Sequence, residues 1–195
     1  MSRDSSDTRA RILDCTWNLL ESGDKKVRMT DIAKAVGISR QALYLHFPTR
    51  AELLIATTRH IDSIKDVDAR LADSRAATSG RARLASFISA WGSYIPEIHG
   101  LSVALRSMCD NDAEAAAAWD GRMQAVRHGC VAAVGALAAD KMLRADLNED
   151  MATDLLWTLL SVENWEHLVR DCGWSQAEYE GQITRLAEAA LLVKN

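Results

Sequence analysis

Residues 30–47 read TDIAKAVGISRQALYLHF, and this stretch decides how the rest of the chain is interpreted. Apolar side chains recur at helical spacing on either side of Gly37, which predicts two short helices joined by a tight turn. Gly37 can adopt the left-handed conformation that ends a helix, and Ser39 can cap the helix that follows. The pattern favours a helix-turn-helix, although an ordinary helical hairpin with a polar surface would carry the same turn.

The second helix of a helix-turn-helix enters the major groove of DNA, so its outward side chains matter most. Here they combine donors for base edges, a methyl group and groups that can reach phosphates. The outward residues are Arg40, Gln41, Ala42, Tyr44 and His46. The helix that carries them is the candidate recognition helix.

The residues that flank this stretch extend the pattern. From Ile12 to Leu54 the chain resembles the DNA-binding domain of the TetR (tetracycline-repressor) family of bacterial transcription regulators, in which a Leu-Tyr-x-His-Phe run ends the recognition helix. The matching residues are Ile12-Leu13, Leu19-Leu20, Gly23, Ile32-Ala33, Val36-Gly37-Ile38-Ser39, Leu43-Tyr44, His46-Phe47, Arg50 and Glu52-Leu53-Leu54. The resemblance implies a homodimer that binds an inverted-repeat operator.

Three departures from the family pattern involve four positions. Arg28 stands where the family usually has a Ser or Thr helix cap, so capping is expected to pass to Thr30. Pro48 and Arg50 stand where other members often have Ser or Asn and a phosphate-binding Lys. Asp24 replaces a frequent aromatic residue. The first departure leaves the start of the second helix open.

The resemblance also implies roles for individual residues in DNA binding. Arg40, Gln41 and Ala42 are expected at base edges, and Thr30, Tyr44, His46 and Arg50 at the sugar-phosphate backbone. Arg28, Ser39 and Thr49 complete the predicted DNA-binding set. Lys25 and Lys26 precede Arg28 and form a basic cluster that either meets phosphates or lies in a solvated loop.

Charge is distributed unevenly along the chain. The net charge of −4 looks wrong for a DNA-binding protein, but residues 1–60 carry ten Lys or Arg against seven Asp or Glu. Residues 61–195 carry the remaining thirteen basic and twenty acidic residues. Basic charge is therefore concentrated in the segment that holds the helix-turn-helix, as expected for the DNA-binding end of a protein.

The remainder of the chain predicts an all-α fold in two domains. Only two prolines occur among 195 residues, and no run of alternating β-branched residues appears. We assign residues 1–48 to a three-helix DNA-binding domain and residues 49–195 to a larger helical domain for ligand binding and dimerisation. One helix from Thr49 to about Ala72, capped by Thr49 with Glu52, is expected to link them. Further helices are predicted from Asp7 or Ser6 to Gly23, from Leu101 to Asp110, from Asp112 to Leu143, from Met151 to Cys172 and after Ser175. Another helix, before Leu101, is predicted to end at Pro96.

Aromatic, Met and His side chains in the body of the chain are candidates to line a pocket between helices. Each of them taken singly is expected to pack in the core. Taken together, with glycines inside the helices and with the inducer cavity that the resemblance to the TetR family implies, they suggest a ligand site. The candidate ligand-binding residues are Trp91, Tyr94, His99, Met108, Trp119, Met123, His128 and Trp157. A largely apolar small-molecule effector is expected.

The last two long helices are apolar on more than one side, which is typical of helices that face both their own core and a partner. In TetR-like proteins such helices form a four-helix bundle between two subunits. The candidate dimer-interface residues are Leu155, Leu159, Val162, Ile183, Leu186 and Ala190.

Sequence motifs of other function classes are missing. No phosphate-binding Gly-rich loop, nucleophile elbow or H-E-x-x-H motif occurs, so neither catalysis nor a cofactor is expected. Glu163 and His167 have metal-ligand spacing, but no second motif complements them, and no metal site is predicted. Four widely spaced cysteines and the lack of a long apolar run predict a cytoplasmic protein with free thiols and no membrane span. The rival interpretation is an all-helical enzyme or small-molecule carrier that uses the C-terminal cavity.

Overall fold

A computed structural model describes residues 3–22 and 27–193, with side chains described from residue 6 onward. Eleven α-helices and one π-helical segment make up the regular structure of these residues. Pairing of the β type is confined, in this part of the chain, to an isolated bridge between Leu143 and Leu192. The predicted all-α fold class is confirmed.

The helices follow one another with short connections. The N-terminal ones are α1 (Arg3–Glu21), α2 (Met29–Val36), α3 (Arg40–His46), α4 (Arg50–Ile64), α5 (Val67–Arg70) and α6 (Ala72–Ala76). The later ones are α7 (Gly80–Cys109), α8 (Ala113–Ala139), α9 (Glu149–Leu159), α10 (Val162–Trp165), the π segment (Glu166–Asp171) and α11 (Gln176–Leu191).

The chain divides into two compact units. The first unit holds the described residues of 1–66 together with 99–123, and the second holds 67–98 together with the described residues of 124–195. Helices α7 and α8 therefore each contribute one part to each unit. The division of function at residue 48 stays a prediction.

The core of the first unit is built from the inward faces of its short helices. Its fully buried side chains include Ile12, Leu20, Ile32, Leu43, Phe47, Leu53, Leu54 and Ile61.

Helix α1 begins at Arg3, earlier than the predicted cap at Ser6 or Asp7, and its predicted end at Gly23 lies outside the described residues. Helix α2 begins directly after Arg28, whose backbone N–H donates to the Asp31 carboxylate at 3.3 Å. The expected shift of the cap to Thr30 is therefore wrong.

The predicted linking helix from Thr49 to Ala72 is interrupted. Thr49 caps α4 as expected, since its hydroxyl accepts a hydrogen bond from the Glu52 N–H at 3.1 Å. The helix ends at Ile64, and Asp66 then adopts a left-handed conformation with φ of 50°. Asp tolerates that conformation better than most residues, so the chain turns here although the apolar spacing continues into α5 and α6.

Helix α7 runs through Pro96, where a break was predicted. A proline inside a helix leaves the carbonyl four residues earlier without its usual donor. That carbonyl belongs to Gly92, and it accepts a hydrogen bond from the side-chain amide of Gln176 at 2.8 Å. Because α11 supplies the missing donor, α7 continues to Cys109, and the separate helix predicted from Leu101 is its last part.

The predicted helix from Met151 to Cys172 is divided at Leu160. Ser161 caps the helix that follows by accepting from the Asn164 N–H at 3.2 Å. The Leu160 carbonyl accepts a 2.7 Å hydrogen bond from the indole Nε1 of Trp91, which stabilises the interruption. The start of the last helix after Ser175 is confirmed, with Glu178 completing a capping box.

Close packing in the second unit depends on one of the predicted helix glycines. A Cβ atom at Gly129 would lie 2.3 Å from the ring of Phe87, which is far inside van der Waals contact. Helices α7 and α8 can therefore approach here only because position 129 lacks a side chain.

Candidate nucleic-acid interface

The turn between α2 and α3 has the geometry of a helix-turn-helix. Gly37 has a φ of 78°, and its N–H donates to the Ala33 carbonyl at 3.0 Å. Ser39 caps α3 by accepting from the Ala42 N–H at 3.1 Å. Leu43 and Phe47 are buried beneath α3, which fixes the helix on the first unit and leaves its opposite side outward.

The outward side of α3 carries most of the predicted base-reading residues. Arg40, Gln41 and Tyr44 are exposed, whereas Ala42 and His46 are half-buried at the edges of the helix. Leu45 is 82% exposed and was missed by the sequence reasoning, which treated only polar residues and the small Ala42 as outward. Its position four residues after Gln41 and two after the buried Leu43 would have identified it.

A cleft of about 500 Å³ borders one side of α3; we call it the α2/α4 cleft. Its lining residues are Arg28, Met29, Thr30, Arg40, Tyr44, Thr49, Arg50 and Glu114. Six of the ten predicted DNA-binding residues thus meet in one place. The first turns of α2 and α4 also border the cleft, and the N–H groups of such turns attract anions.

Arg50 has a different environment from the one expected for a phosphate contact. Its Nη1 lies 2.6 Å from an Asp112 carboxylate oxygen and 3.4 Å from one of Glu114, and its Nε donates to the Val27 carbonyl at 2.7 Å. Its Nη2 lies 3.8 Å from the sulfur of Met108. Arg50 therefore connects the start of α4 to the residue before Arg28 and to the start of α8, all within the first unit.

A second cleft, of about 650 Å³, lies on the His46 side of α3; we call it the α1/α4 cleft. Arg9 borders it, donates to the His46 carbonyl at 2.9 Å and stacks on the Phe47 ring at 4.1 Å. Arg59 and His60 of α4 also line it, and His60 lies 2.7 Å from Asp14. Cationic side chains therefore border α3 on two sides.

The predicted ligand-binding residues fall into both units. Trp91, Tyr94, His128 and Trp157 belong to the second unit, and His99, Met108, Trp119 and Met123 belong to the first. Trp91 and Tyr94 are buried and meet edge to face, with ring centroids 6.2 Å apart. His128 is exposed on α8. The eight residues therefore do not form one cluster within a single unit.

Tyr179 of α11 is a buried polar residue that the sequence reasoning assigned only to a helix face. It is fully buried, and its hydroxyl has no hydrogen-bond partner among the residues that the structure describes. Its ring lies 3.6 Å from the position that a Cβ of Gly92 would occupy, next to Trp91. Burial and the nearby Glu180 carboxylate both raise the pKa of Tyr179, so the hydroxyl stays protonated.

The predicted dimer-interface residues differ in exposure. Leu155 and Leu186 are 43% and 50% exposed, and Leu159 and Ala190 are half-buried. Val162 and Ile183 are buried within the chain, so their side chains pack in their own core. Met151 on α9 is an additional exposed apolar residue at the same helical spacing, and Val193 is exposed beyond the end of α11, where Leu192 is extended.

Glu163 and His167, which have metal-ligand spacing, belong to no cluster of metal-binding side chains in the described residues. In residues 3–22 and 27–193, no three potential metal-binding side chains come together, and His167 instead lies 3.3 Å from Asp171 on the surface.

The four cysteines differ in exposure. Cys172 is exposed, while Cys15 and Cys109 are half-buried, and burial raises the pKa of Cys130 to about 12. The helices in this part of the chain are all too short or too polar to cross a bilayer.

Comparison with known sequences gives one family match. Residues 12–57 match the family model described as bacterial regulatory proteins, tetR family. Among curated proteins, none matches the chain significantly.

Solved structures with the same fold cover nearly the whole chain. A TetR transcription regulator from Haloarcula marismortui is 23% identical over 96% of this chain and 100% of its own, with a TM-score of 0.68. NalD, the secondary repressor of the MexAB-OprM multidrug efflux pump in Pseudomonas aeruginosa, is 20% identical over 97% and 98%, with a TM-score of 0.69. The transcriptional regulator FadR from Bacillus subtilis, in complex with stearoyl-CoA, is 15% identical over 92% and 97%, with a TM-score of 0.73.

Proposed function

We propose that this chain, a TetR-like regulatory protein by its match at residues 12–57 and by its fold, is a homodimeric repressor that binds an inverted-repeat operator and leaves it when a small, largely apolar ligand binds. The observation that carries the proposal is the outward face of α3, which is exposed between two clefts lined by cationic side chains. A DNA-binding repressor of this kind acts in the cytoplasm and catalyses no reaction.

DNA binding would use α3 for sequence and the α2/α4 cleft for the backbone. Arg40 and Gln41 can each donate to a purine edge in the major groove. Thr30, Tyr44 and Thr49 border the cleft beside the first turns of α2 and α4, whose N–H groups suit a phosphate. Phosphate contacts fix the register, and the residues on α3 then specify the bases.

The homodimer follows from the small size of one helix-turn-helix, which contacts only a half-site. In the second unit, Met151, Leu155 and Leu159 form one apolar stripe on α9, spaced four residues apart. A second stripe on α11 consists of Leu186 and the half-buried Ala190, and the exposed Val193 follows the end of the helix. We infer that these stripes pair with the same stripes of a second copy, as the isologous interface of a two-fold dimer requires.

The ligand would bind in the second unit near Trp91, Tyr94 and Tyr179. Indole and phenol rings provide apolar surface, and the buried Tyr179 hydroxyl supplies a hydrogen-bonding group that has no partner among the described residues. FadR from Bacillus subtilis, which has a similar fold, is in complex with stearoyl-CoA, a molecule with a long apolar chain. A ligand of this kind can release DNA only by preferring a conformation that binds the operator poorly.

The experiment is a binding assay with DNA from upstream of the protein's own gene. A duplex with an inverted repeat should be bound tightly, and its affinity should fall steeply as salt is raised. A scrambled duplex of equal length is the control. Tight ligand binding without any preference between the two duplexes would favour the rival enzyme or carrier and overturn the proposal.

A further inference from the structure

Leu45 is the most exposed large apolar side chain among the described residues, with 82% of its surface accessible. The other exposed side chains of α3 all carry polar groups, so Leu45 differs from its neighbours. Its side chain carries no donor, acceptor or charge that would favour contact with water. Single exposed apolar residues are common on protein surfaces, so the argument for a partner depends on where Leu45 lies on α3.

The geometry of α3 places Leu45 at the centre of the outward face. At about 100° per residue, Leu45 lies roughly 180° from the mean direction of the buried Leu43 and Phe47. Arg40 and Tyr44 stand on the side of the α2/α4 cleft, and His46 stands on the side of the α1/α4 cleft. Leu45 thus occupies the ridge between two cationic clefts that suit the phosphates on either side of a groove.

A side chain on that ridge would face the floor of the major groove. The base edges there offer hydrogen-bonding groups and one apolar group, which is the C5 methyl of thymine. A Leu side chain can satisfy only the apolar one. Gln41 lies one helical turn before Leu45 on the same stripe and can hydrogen-bond adenine, so the stripe as a whole suits A·T pairs.

We propose that Leu45 is a specificity-determining residue that contacts a thymine methyl group in each half-site of the operator. This inference rests on the proposed function, because it requires the chain to bind DNA through α3. Because one helical turn advances about 5.4 Å and one base pair about 3.4 Å, the thymine lies within about two base pairs of the one that Gln41 contacts.

The test replaces each operator thymine in turn by deoxyuridine, which removes only the methyl group. For the wild-type protein, one thymine per half-site should show a loss of affinity of about fourfold, as expected for one buried methyl group. Leu45→Ala should bind the thymine duplex with a similar loss. It should lose nothing further with deoxyuridine at that position, which marks the two groups as partners.

Ile64→Ala is the matched control, because Ile64 is also apolar, is 51% exposed and lies at the end of α4, away from α3. It should bind both duplexes like the wild-type protein and respond to deoxyuridine in the same way. If Leu45→Ala responded to every deoxyuridine as the wild-type protein does, the contact with thymine would be refuted while DNA binding stood. If the wild-type protein bound no duplex, the proposed function would fail as well.

Discussion

The two units expose apolar side chains in different ways. In the first unit, Leu45 stands as one exposed Leu among polar neighbours on α3, and cationic clefts lie on both sides of the helix. In the second unit, exposed and half-buried apolar residues recur at helical spacing along α9 and α11. A lone apolar residue in a basic setting suits a groove in nucleic acid, whereas a continuous stripe suits the apolar face of another helix.

An exposed apolar side chain is therefore interpretable only together with the residues that surround it. Scattered exposed apolar residues are normal and need no partner. What distinguishes α9 and α11 is repetition, and what distinguishes α3 is charge on both flanks.

The largest effect is expected from charge on the two stripes. The double variant Leu155→Asp, Leu186→Asp places carboxylates on the surface that we propose pairs with its own copy, so the dimer should dissociate. The affinity for a two-half-site operator should then fall by roughly 10²–10⁴-fold, because the second half-site is no longer bound by a tethered domain. Sedimentation and a DNA-binding titration measure the two consequences.

Val103→Asp is the control for this variant, because Val103 is 44% exposed, close to Leu155 in exposure, but belongs to the first unit. It should leave the dimer intact. Were the double variant to remain dimeric and bind operator normally, the interface would have to lie elsewhere.

The next largest effect concerns base reading by α3. Arg40→Ala or Gln41→Ala, whichever removes the true base reader, should cost about 1–3 kcal/mol of binding free energy and relax the preference at one operator position. Selection of preferred sites from randomised half-sites would show the relaxed position. Thr30→Ala, at the cleft, should instead weaken all sequences alike.

A combined variant at Arg40, Gln41, Tyr44 and Arg50 tests whether α3 is the recognition helix at all. If that protein bound the operator as tightly as the wild type does, the assignment of α3 as the recognition helix would be wrong.

The sequence specified local features well and features that depend on distant partners poorly. Gly37, Ser39, Thr49 and Ser175 act as predicted because a turn or a cap depends on a few neighbouring residues. The sequence did not reveal that α7 continues through Pro96. The Gly92 carbonyl, which loses its usual donor at Pro96, accepts instead from the side-chain amide of Gln176, 84 positions away. Apolar spacing alone cannot reveal such a partner.

The candidate site shows the same division. The outward polar face of α3 follows from its helical period, and family resemblance supplies most residues of the α2/α4 cleft. The resemblance did not reveal that Arg50 is held by Asp112 and Glu114, because those residues come from a segment that joins the first unit only in three dimensions. Leu45 was missed for a simpler reason, since an apolar residue was presumed to face inward.

A smaller effect is expected from the ion pair at Arg50. Asp112→Asn removes the charge that holds Arg50 but keeps the Oδ1 acceptor, which caps α8 at the N–H groups of Glu114 and Ala115 at 3.2 Å each. Loss of one charge-assisted hydrogen bond in a partly exposed site should lower the free energy of unfolding by about 1–2 kcal/mol. Chemical denaturation measures this change.

DNA binding by the same variants distinguishes two roles for Arg50. If Arg50 only positions α2 and α4, both Arg50→Ala and Asp112→Asn should weaken operator binding without changing its salt dependence. If Arg50 contacts a phosphate directly, Arg50→Ala alone should reduce the salt slope by about one for each subunit. The four contacts that surround Arg50 favour the positioning role.

The smallest effect is expected at Tyr179, in the interior of the second unit. Its hydroxyl is buried without a hydrogen-bond partner in the described part of the chain, which costs free energy in the absence of ligand. Tyr179→Phe removes the hydroxyl and keeps the ring, so the ligand-free protein should gain about 1 kcal/mol in the free energy of unfolding. Ligands with a polar group should bind the variant about 5–10-fold more weakly, as expected for one lost hydrogen bond, and tryptophan fluorescence can follow that binding.

Tyr179→Phe should raise the free energy of unfolding but lower the affinity for ligands. This combination distinguishes a ligand-binding role from an ordinary packing defect. A packing defect would destabilise the protein and weaken all ligands together. Ser102 provides a matched control, because its hydroxyl is also buried but donates to the His99 carbonyl at 2.7 Å. Ser102→Ala should therefore lower the free energy of unfolding and leave ligand affinity unchanged. If Tyr179→Phe lost stability and bound every polar and apolar ligand as the wild-type protein does, the hydroxyl would have no ligand to serve.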